Sequence, residues 1–150
     1  MAVKPIPEGY HSVTPYLAIE GAAGVLDFVK EAFGAEELYR IDAPGDKIGH
    51  AEVKIGDSIV MVADASTGDE ATLMPGMLHL YVDDVDKVYR KALESGAASV
   101  RGPEDQFYGD RTAGVKDSAG NHWYIATHVE DVPPEEMGKR AKEWQERKNS

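Results

Sequence analysis

The chain has 150 residues, within the range of one compact domain, and its 27 acidic against 16 basic residues give a net charge of -11, which disfavours a nucleic-acid backbone or an anionic membrane as partner. With 0 Cys there is no disulfide, no thiolate metal site and no cysteine nucleophile, and no run has the apolar length of a signal peptide or a membrane span, so a cytoplasmic protein is expected. The acidic balance reads either as a solvated surface that aids solubility or as a preference for cationic ligands.

Ser12 to Ile19 is rich in β-branched and aromatic residues and predicts a strand. Ala22, Val25, Leu26, Val29 and Phe33 then share one face of a helix that Gly34 can end. Glu37 to Ile41, Gly49 to Ile55 and Ser58 to Ala63 predict three strands, the last two joined by a tight hairpin at Gly56-Asp57. The polar, aperiodic stretch 64–76 reads as a connection. The pattern then restarts with a strand from Met77 to Val82. A helix capped by Asp83 or Asp84 follows, with Val85, Val88, Tyr89, Ala92 and Leu93 on its inner face up to Gly96. Ser99 to Pro103, Arg111 to Lys116 and Asn121 to Thr127 complete the strands. A last helix over Val132 to Lys148 opens on Pro133 and Pro134, with Glu135 and Glu136 in its first turn and Arg147 and Lys148 near its end. Its stripe of Met137, Ala141 and Trp144 suits packing on the domain or on a partner subunit.

Leu17-Ala18-Ile19 aligns with Leu80-Tyr81-Val82 at an offset of about 63, and Gly34-Ala35 with Gly96-Ala97 at about 62. Each half therefore runs β, α, β, β, β. One helix covers one face of a four-stranded sheet, so the other face stays wet or encloses something. The expected fold is α+β, with two βαβββ modules (about 10–63 and about 77–128) forming a cupped mixed sheet whose helices lie on the convex face. The connection and a C-terminal helix over about 133–148 complete a single domain spanning 1–150.

Four stretches carry a family resemblance: Thr14-Pro15-Tyr16-Leu17 leading into Phe28 and Phe33-Gly34-Ala35, His50-Ala51-Glu52-Val53 before Gly56-Asp57-Ser58, Leu78-His79-Leu80-Tyr81-Val82 with Asp84-Val85-Asp86, and Asp117-Ser118-Ala119-Gly120-Asn121. The last is a turn in which Gly120 can take a positive φ. From Tyr10 to Lys139 this pattern resembles the vicinal-oxygen-chelate superfamily of glyoxalases, bleomycin resistance proteins and dioxygenases. Glu104 to Arg111 and Ala126 to Asp131 look like its PhnB-like branch. The resemblance implies a scaffold that hosts lyases, isomerases, dioxygenases, thiol transferases and non-catalytic antibiotic sequesterers. It also implies metal-ligand places at Thr14, Met61, Met77 and Tyr124, none of them a His or a carboxylate, so no metal is expected.

Strand alternation turns Leu17, Ile19, Val53, Ile55, Val60, Val62, Leu78, Leu80, Val82, Trp123 and Ile125 toward the helices. The residues between them face the cup, which makes Tyr16, His50, Glu52, Met61, Met77, His79, Tyr81, His122 and Tyr124 the candidate ligand-binding residues. The tyrosines and methionines suit a flat or aromatic organic ligand, or else fill a closed core. Arg111, on a loop at the rim, is a further candidate for a ligand carboxylate, with a surface ion pair to Asp110 or Asp105 as the other reading. His50, Glu52, His79 and His122 are either separate polar wall residues or a displaced site for a divalent metal such as Zn, Ni, Mn or Fe.

The first expectation is thus a small-molecule binding protein of the bleomycin-resistance type, a homodimer without cofactor. The alternative is a lyase, isomerase or dioxygenase, either metal-dependent or using His79 or Glu52 as general base. A third reading is an interaction scaffold with filled cups. No phosphate-binding glycine loop, H-E-x-x-H helix, G-x-S-x-G elbow or triad spacing supports other chemistry.

Overall fold

A computed structural model describes residues 2–65 and 73–149. The expected connection falls partly on 66–72, outside the described residues.

The first strand, β1 (Tyr16–Ile19), begins later than expected, because Pro15 has no N–H to offer a ladder, although its carbonyl accepts from Met61 at 2.9 Å. Helix α1 (Ala22–Phe33) buries Ala22, Val25, Leu26 and Val29. It ends at Gly34, whose φ of 66° lets the Gly34 and Ala35 amides close on Lys30 and Val29. β2 (Glu36–Ala43), β3 (Lys47–Ile55) and β4 (Ser58–Asp64) follow, and Ile55 stands opposite Ser58 across the Gly56-Asp57 hairpin. The second half repeats the path with β5 (Met77–Tyr81), α2 (Val85–Glu94), β6 (Ala98–Asp105), β7 (Asp110–Lys116) and β8 (His122–His128), before α3 (Pro134–Lys148).

The strand orders are β1-β4-β3-β2 and β5-β8-β7-β6, with the first strand of each module parallel to its last and the other pairings antiparallel. The fold is α+β with two four-stranded mixed sheets, as the repeat predicts. Both modules fasten the helix N-terminus from the end of the final strand. Asp64 accepts from the amides of Gly21, Ala22 and Ile48 at 2.9, 3.1 and 2.7 Å. Thr127 accepts from the Val85 amide at 2.9 Å. Burial pushes the Asp64 carboxyl up, but the three amides outweigh it and hold the group below its ordinary range. Of the two expected caps for α2, Asp84 serves, accepting from the Lys87 amide at 3.2 Å.

One core joins the modules. Leu17, Ile19, Val53, Ile55, Val60, Val62, Trp123 and Ile125 are all buried in it, and Leu78, Leu80 and Val82 pack half-buried against it. Helices α1 and α2 touch each other, and the Phe33 ring of α1 meets Trp123 of the second sheet at 5.1 Å. Among the described residues no strand of one sheet pairs with a strand of the other, so each sheet turns its helix-free face away from the shared core. Among the described residues the chain therefore presents two half-cups, one on each sheet.

The β7–β8 turn is held by buried Asp117, which accepts from the Ala119 and Asn121 amides, the Asn121 side chain and the Trp123 indole at 2.9, 3.0, 2.9 and 2.9 Å. Gly120 has the expected positive φ, 93°. Helix α3 rests on the loop before β7: Trp144 meets the Phe107 ring at 5.7 Å, and Arg140 donates to the Phe107 carbonyl at 3.2 Å and pairs with Glu130 at 2.8 Å. Among the described residues no helix is long and apolar enough to cross a membrane.

Candidate functional site

On the first sheet, alternation along β3 sends Ala51, Val53 and Ile55 into the core and leaves His50 and Glu52 on the helix-free face. Glu52 is nevertheless only 3% exposed, because the chain before β1 crosses over it. Tyr10 from that strap and Tyr39 from β2 both donate their hydroxyls to the Glu52 carboxylate. His50 Nε2 stands 2.8 Å from Glu52 Oε2, and Tyr16 Oη 3.3 Å from His50 Nδ1. The strap leaves a crevice of about 380 Å³ lined by Pro7, Tyr10, Thr14, Tyr39, Glu52 and Met61. Burial pushes the Glu52 carboxyl up from its ordinary value.

The second sheet's helix-free face is open. Register places Met77 beside His122 and His79 beside Tyr124. The His79 and Tyr81 rings meet edge-on at 5.0 Å, and His122 stacks near Tyr124 at 6.4 Å. Arg101 of β6 lies over the Tyr124 ring, 5.9 Å from its centroid, and donates to buried Thr112 at 2.7 Å. Gly114 makes room for that ring, since a Cβ there would come within 3.0 Å of Tyr124. A groove of about 610 Å³ runs along the free edge of β5, with Pro15, Ser58, Met77, His79 and Tyr81 among its walls.

At the end of this face Tyr81 donates to Asp110 at 2.7 Å, and His128 bridges Asp110 and Asp131 at 2.8 and 2.7 Å. Burial would raise the Asp110 carboxyl, but the hydrogen bonds from His128 and Tyr81 prevail and hold it low. The same contacts, Asp110 first and Asp131 second, raise His128 above its ordinary value. Tyr81 is pushed up by its hydrogen bond to Asp110 and then by burial.

The sequence-predicted residues are thus divided. Tyr16, His50, Glu52 and Met61 belong to the first sheet, and Met77, His79, Tyr81, His122 and Tyr124 to the second. They form two walls, one on each sheet. Arg111 follows the ion-pair reading and not the ligand one: it shares a side of β7 with core residues Ala113 and Val115 and is tied to Asp105 at 3.2 Å, as that reading had it, and also to Asp86 of α2 at 3.0 and 3.1 Å. That side faces the helix, away from the open wall. Sequence reasoning also missed Tyr10, Tyr39, Arg101 and Gly114. Gly114 was legible from the alternation of β7, whereas irregularities in β6 on both sides of Arg101 hide its direction.

The residue types do not fit a divalent metal. Thr14, Met61, Met77 and Tyr124 offer a hydroxyl, two thioethers and a phenol, and the carboxylate oxygens of Glu52 are already engaged by phenols. His79 and His122 are on the other sheet from His50 and Glu52, and among the described residues no three His, Asp or Glu gather in a metal-holding group.

Comparison with known proteins places this geometry. Residues 12–125 match the Glyoxalase/Bleomycin resistance protein/Dioxygenase superfamily. The uncharacterized protein Mb0911c of Mycobacterium bovis is 35% identical over 135 residues, covering 84% of this chain and 89% of that one. The crystal structure of TioX from Micromonospora sp. ML1 superposes with a TM-score of 0.66 at 28% identity, covering 79% of this chain and 99% of TioX. A putative 3-demethylubiquinone-9 3-methyltransferase, PhnB protein, from Bacillus cereus shares the fold with a TM-score of 0.62 at 17% identity, covering 78% and 99%.

Proposed function

The chain belongs to the Glyoxalase/Bleomycin resistance protein/Dioxygenase superfamily, and from that premise we propose that it is a cytoplasmic homodimer binding a planar, aromatic organic molecule against its helix-free sheet faces without a metal. Within the superfamily we assign it to the PhnB-like branch, on the strength of Glu104 to Arg111, Ala126 to Asp131 and the likeness to the Bacillus cereus protein.

One observation carries the binding reading. Tyr16, Met77 and Tyr81 are 51%, 74% and 60% exposed, although they stand on sheet faces rather than on loops. Flat aromatic and thioether surface of that kind is what a planar ligand buries. Two half-cups facing outward from one core also give a second copy a reason to bind, since an open half-cup needs a facing wall.

The test is calorimetric titration of 2-naphthamide into chelator-treated protein and into protein preincubated with Zn, Ni, Mn or Fe, alongside sedimentation equilibrium. Equal binding in all preparations by a dimer is the expected result. Binding that appears only after metal loading, and that Glu52→Ala or His79→Ala abolishes together with bound metal, overturns the metal-free reading.

A second reading, an enzyme, draws on Glu52. A carboxyl raised above its ordinary value by burial, beside His50 and two phenols, has the make-up of a general base with adjacent hydrogen-bond donors. It would remove a proton next to a carbonyl whose developing charge a phenol stabilises. Solvent-deuterium exchange into an added 2-oxo acid, lost in Glu52→Gln, identifies this activity.

A further inference from the structure

Resting on the ligand-binding reading above, we infer that Arg101 is the anion anchor of the second face and that the ligand carries a carboxylate on its planar ring. In a chain with 27 acidic and 16 basic residues, Arg40, Arg111 and Arg140 each contact a carboxylate, at 2.6, 3.0 and 2.8 Å. Among the described residues neither Arg90 nor Arg101 forms an ion pair with a carboxylate, and of the two it is Arg101 that lies over an aromatic ring of the helix-free face. Its contacts are the Thr112 hydroxyl at 2.7 Å and the Tyr124 ring at 5.9 Å.

Those contacts orient the guanidinium without neutralising it. Thr112 is 1% exposed and also accepts from Gln106 at 3.2 Å, so the oxygen holding Arg101 is itself fixed. A guanidinium presents five N–H donors in a planar fork, and one donor suffices for Thr112. The remaining fork matches a carboxylate bidentately, while the adjacent phenol ring supports the ligand's flat body. Arg101 therefore holds the charge role that the sequence alone pointed to in Arg111, which is spent on Asp86. A protein of net charge -11 repels anions at long range, so a local unpaired cation is what admits one.

The probes are 2-naphthoate and 2-naphthamide, alike in shape and different in charge, titrated into the wild-type chain, Arg101→Gln, Arg101→Lys and Tyr124→Ala at fixed low salt, with far-UV circular dichroism confirming the fold of each. The wild type is expected to prefer naphthoate by about tenfold to a hundredfold, the usual range for a hydrogen bond to a charged group. Arg101→Gln should erase that preference by weakening naphthoate far more than naphthamide, Arg101→Lys should keep part of it, and Tyr124→Ala should weaken both probes. If the wild type binds both probes equally and Arg101→Gln alters neither, the anchor is overturned and the aromatic-pocket reading stands. If neither probe binds the folded wild type, both readings fall.

Discussion

Glu52 pairs with Met61 across β3 and β4 of the first module, with Tyr39 alongside on β2. In the second module Gly114 pairs with Tyr124 across β7 and β8, with Arg101 alongside on β6. One backbone register thus holds a buried carboxylate under phenols in one half and a guanidinium over a phenol ring in the other. The modules share their strand order and even their helix tether, Asp64 answering to Thr127. Topology repeats the direction in which each side chain points; it does not repeat the charge found there. The strap over Glu52 adds a second difference, since Tyr10 covers the first wall and no such strap crosses the second among the described residues.

The two modules differ most in the turns between their last two strands. Asp117→Ala leaves buried donors of the β7–β8 turn without an acceptor and is expected to cost about 3–4 kcal/mol in urea denaturation, whereas Asp57→Ala in the exposed hairpin of the first module should cost less than about 0.5 kcal/mol. Equal costs would mean that the second turn has no special role. Next in size, Gly114→Ala places a methyl group against Tyr124 and should destabilise by about 1–3 kcal/mol through overpacking, with Arg101 displaced from the ring. Retained stability together with retained naphthoate preference would show that the close fit of Gly114 and Tyr124 is dispensable.

Smaller again is Tyr10→Phe, which removes one phenol donor from Glu52. About 1–2 kcal/mol of stability should go, and hydrogen exchange over 5–14 should speed up while β8 is unaffected. Unchanged exchange would show that the strap is held by its prolines and apolar contacts.

The charged clusters of the two modules also differ in their response to pH. His128 has a folded pKa raised by Asp110 and Asp131, so its contribution is fully present below the ordinary imidazole value of about 6.5 and is lost as pH rises through the raised value. Asp110 is lowered, so its contribution is present above about 3.9 and is lost as pH falls through the lowered value. Glu52, raised by burial, favours folding below about 4.3, an advantage lost as pH rises through its folded pKa. Thermal melting against pH should therefore flatten above about 6.5 in His128→Asn and just above about 4.3 in Glu52→Gln. Identical profiles in both variants would deny the two clusters separate roles.

Much of this molecule was legible in the chain. The repeated β, α, β, β, β order, the Gly56-Asp57 hairpin, the Asp84 cap, the Gly34 helix end and the helix-facing set from Leu17 to Ile125 all follow from local periodicity and turn chemistry. The face of Glu52 and His50 was legible too, because two residues apart on a strand means the same side. Arg111 was misplaced because loop and strand were read as one rim, although alternation from Ala113 puts it on the helix side.

The pair of modules and the apolar side of each strand follow from the chain alone, since period-2 alternation and helix spacing are local properties of the backbone. Long-range packing is what makes the modules share a helix-side core and leave two outward half-cups, brings Tyr10 to Glu52 from 42 positions away, and swings Arg101 of the irregular β6 over Tyr124. Those depend on which surfaces bury together and on where a strand slips register, and neither leaves a periodic mark in the chain.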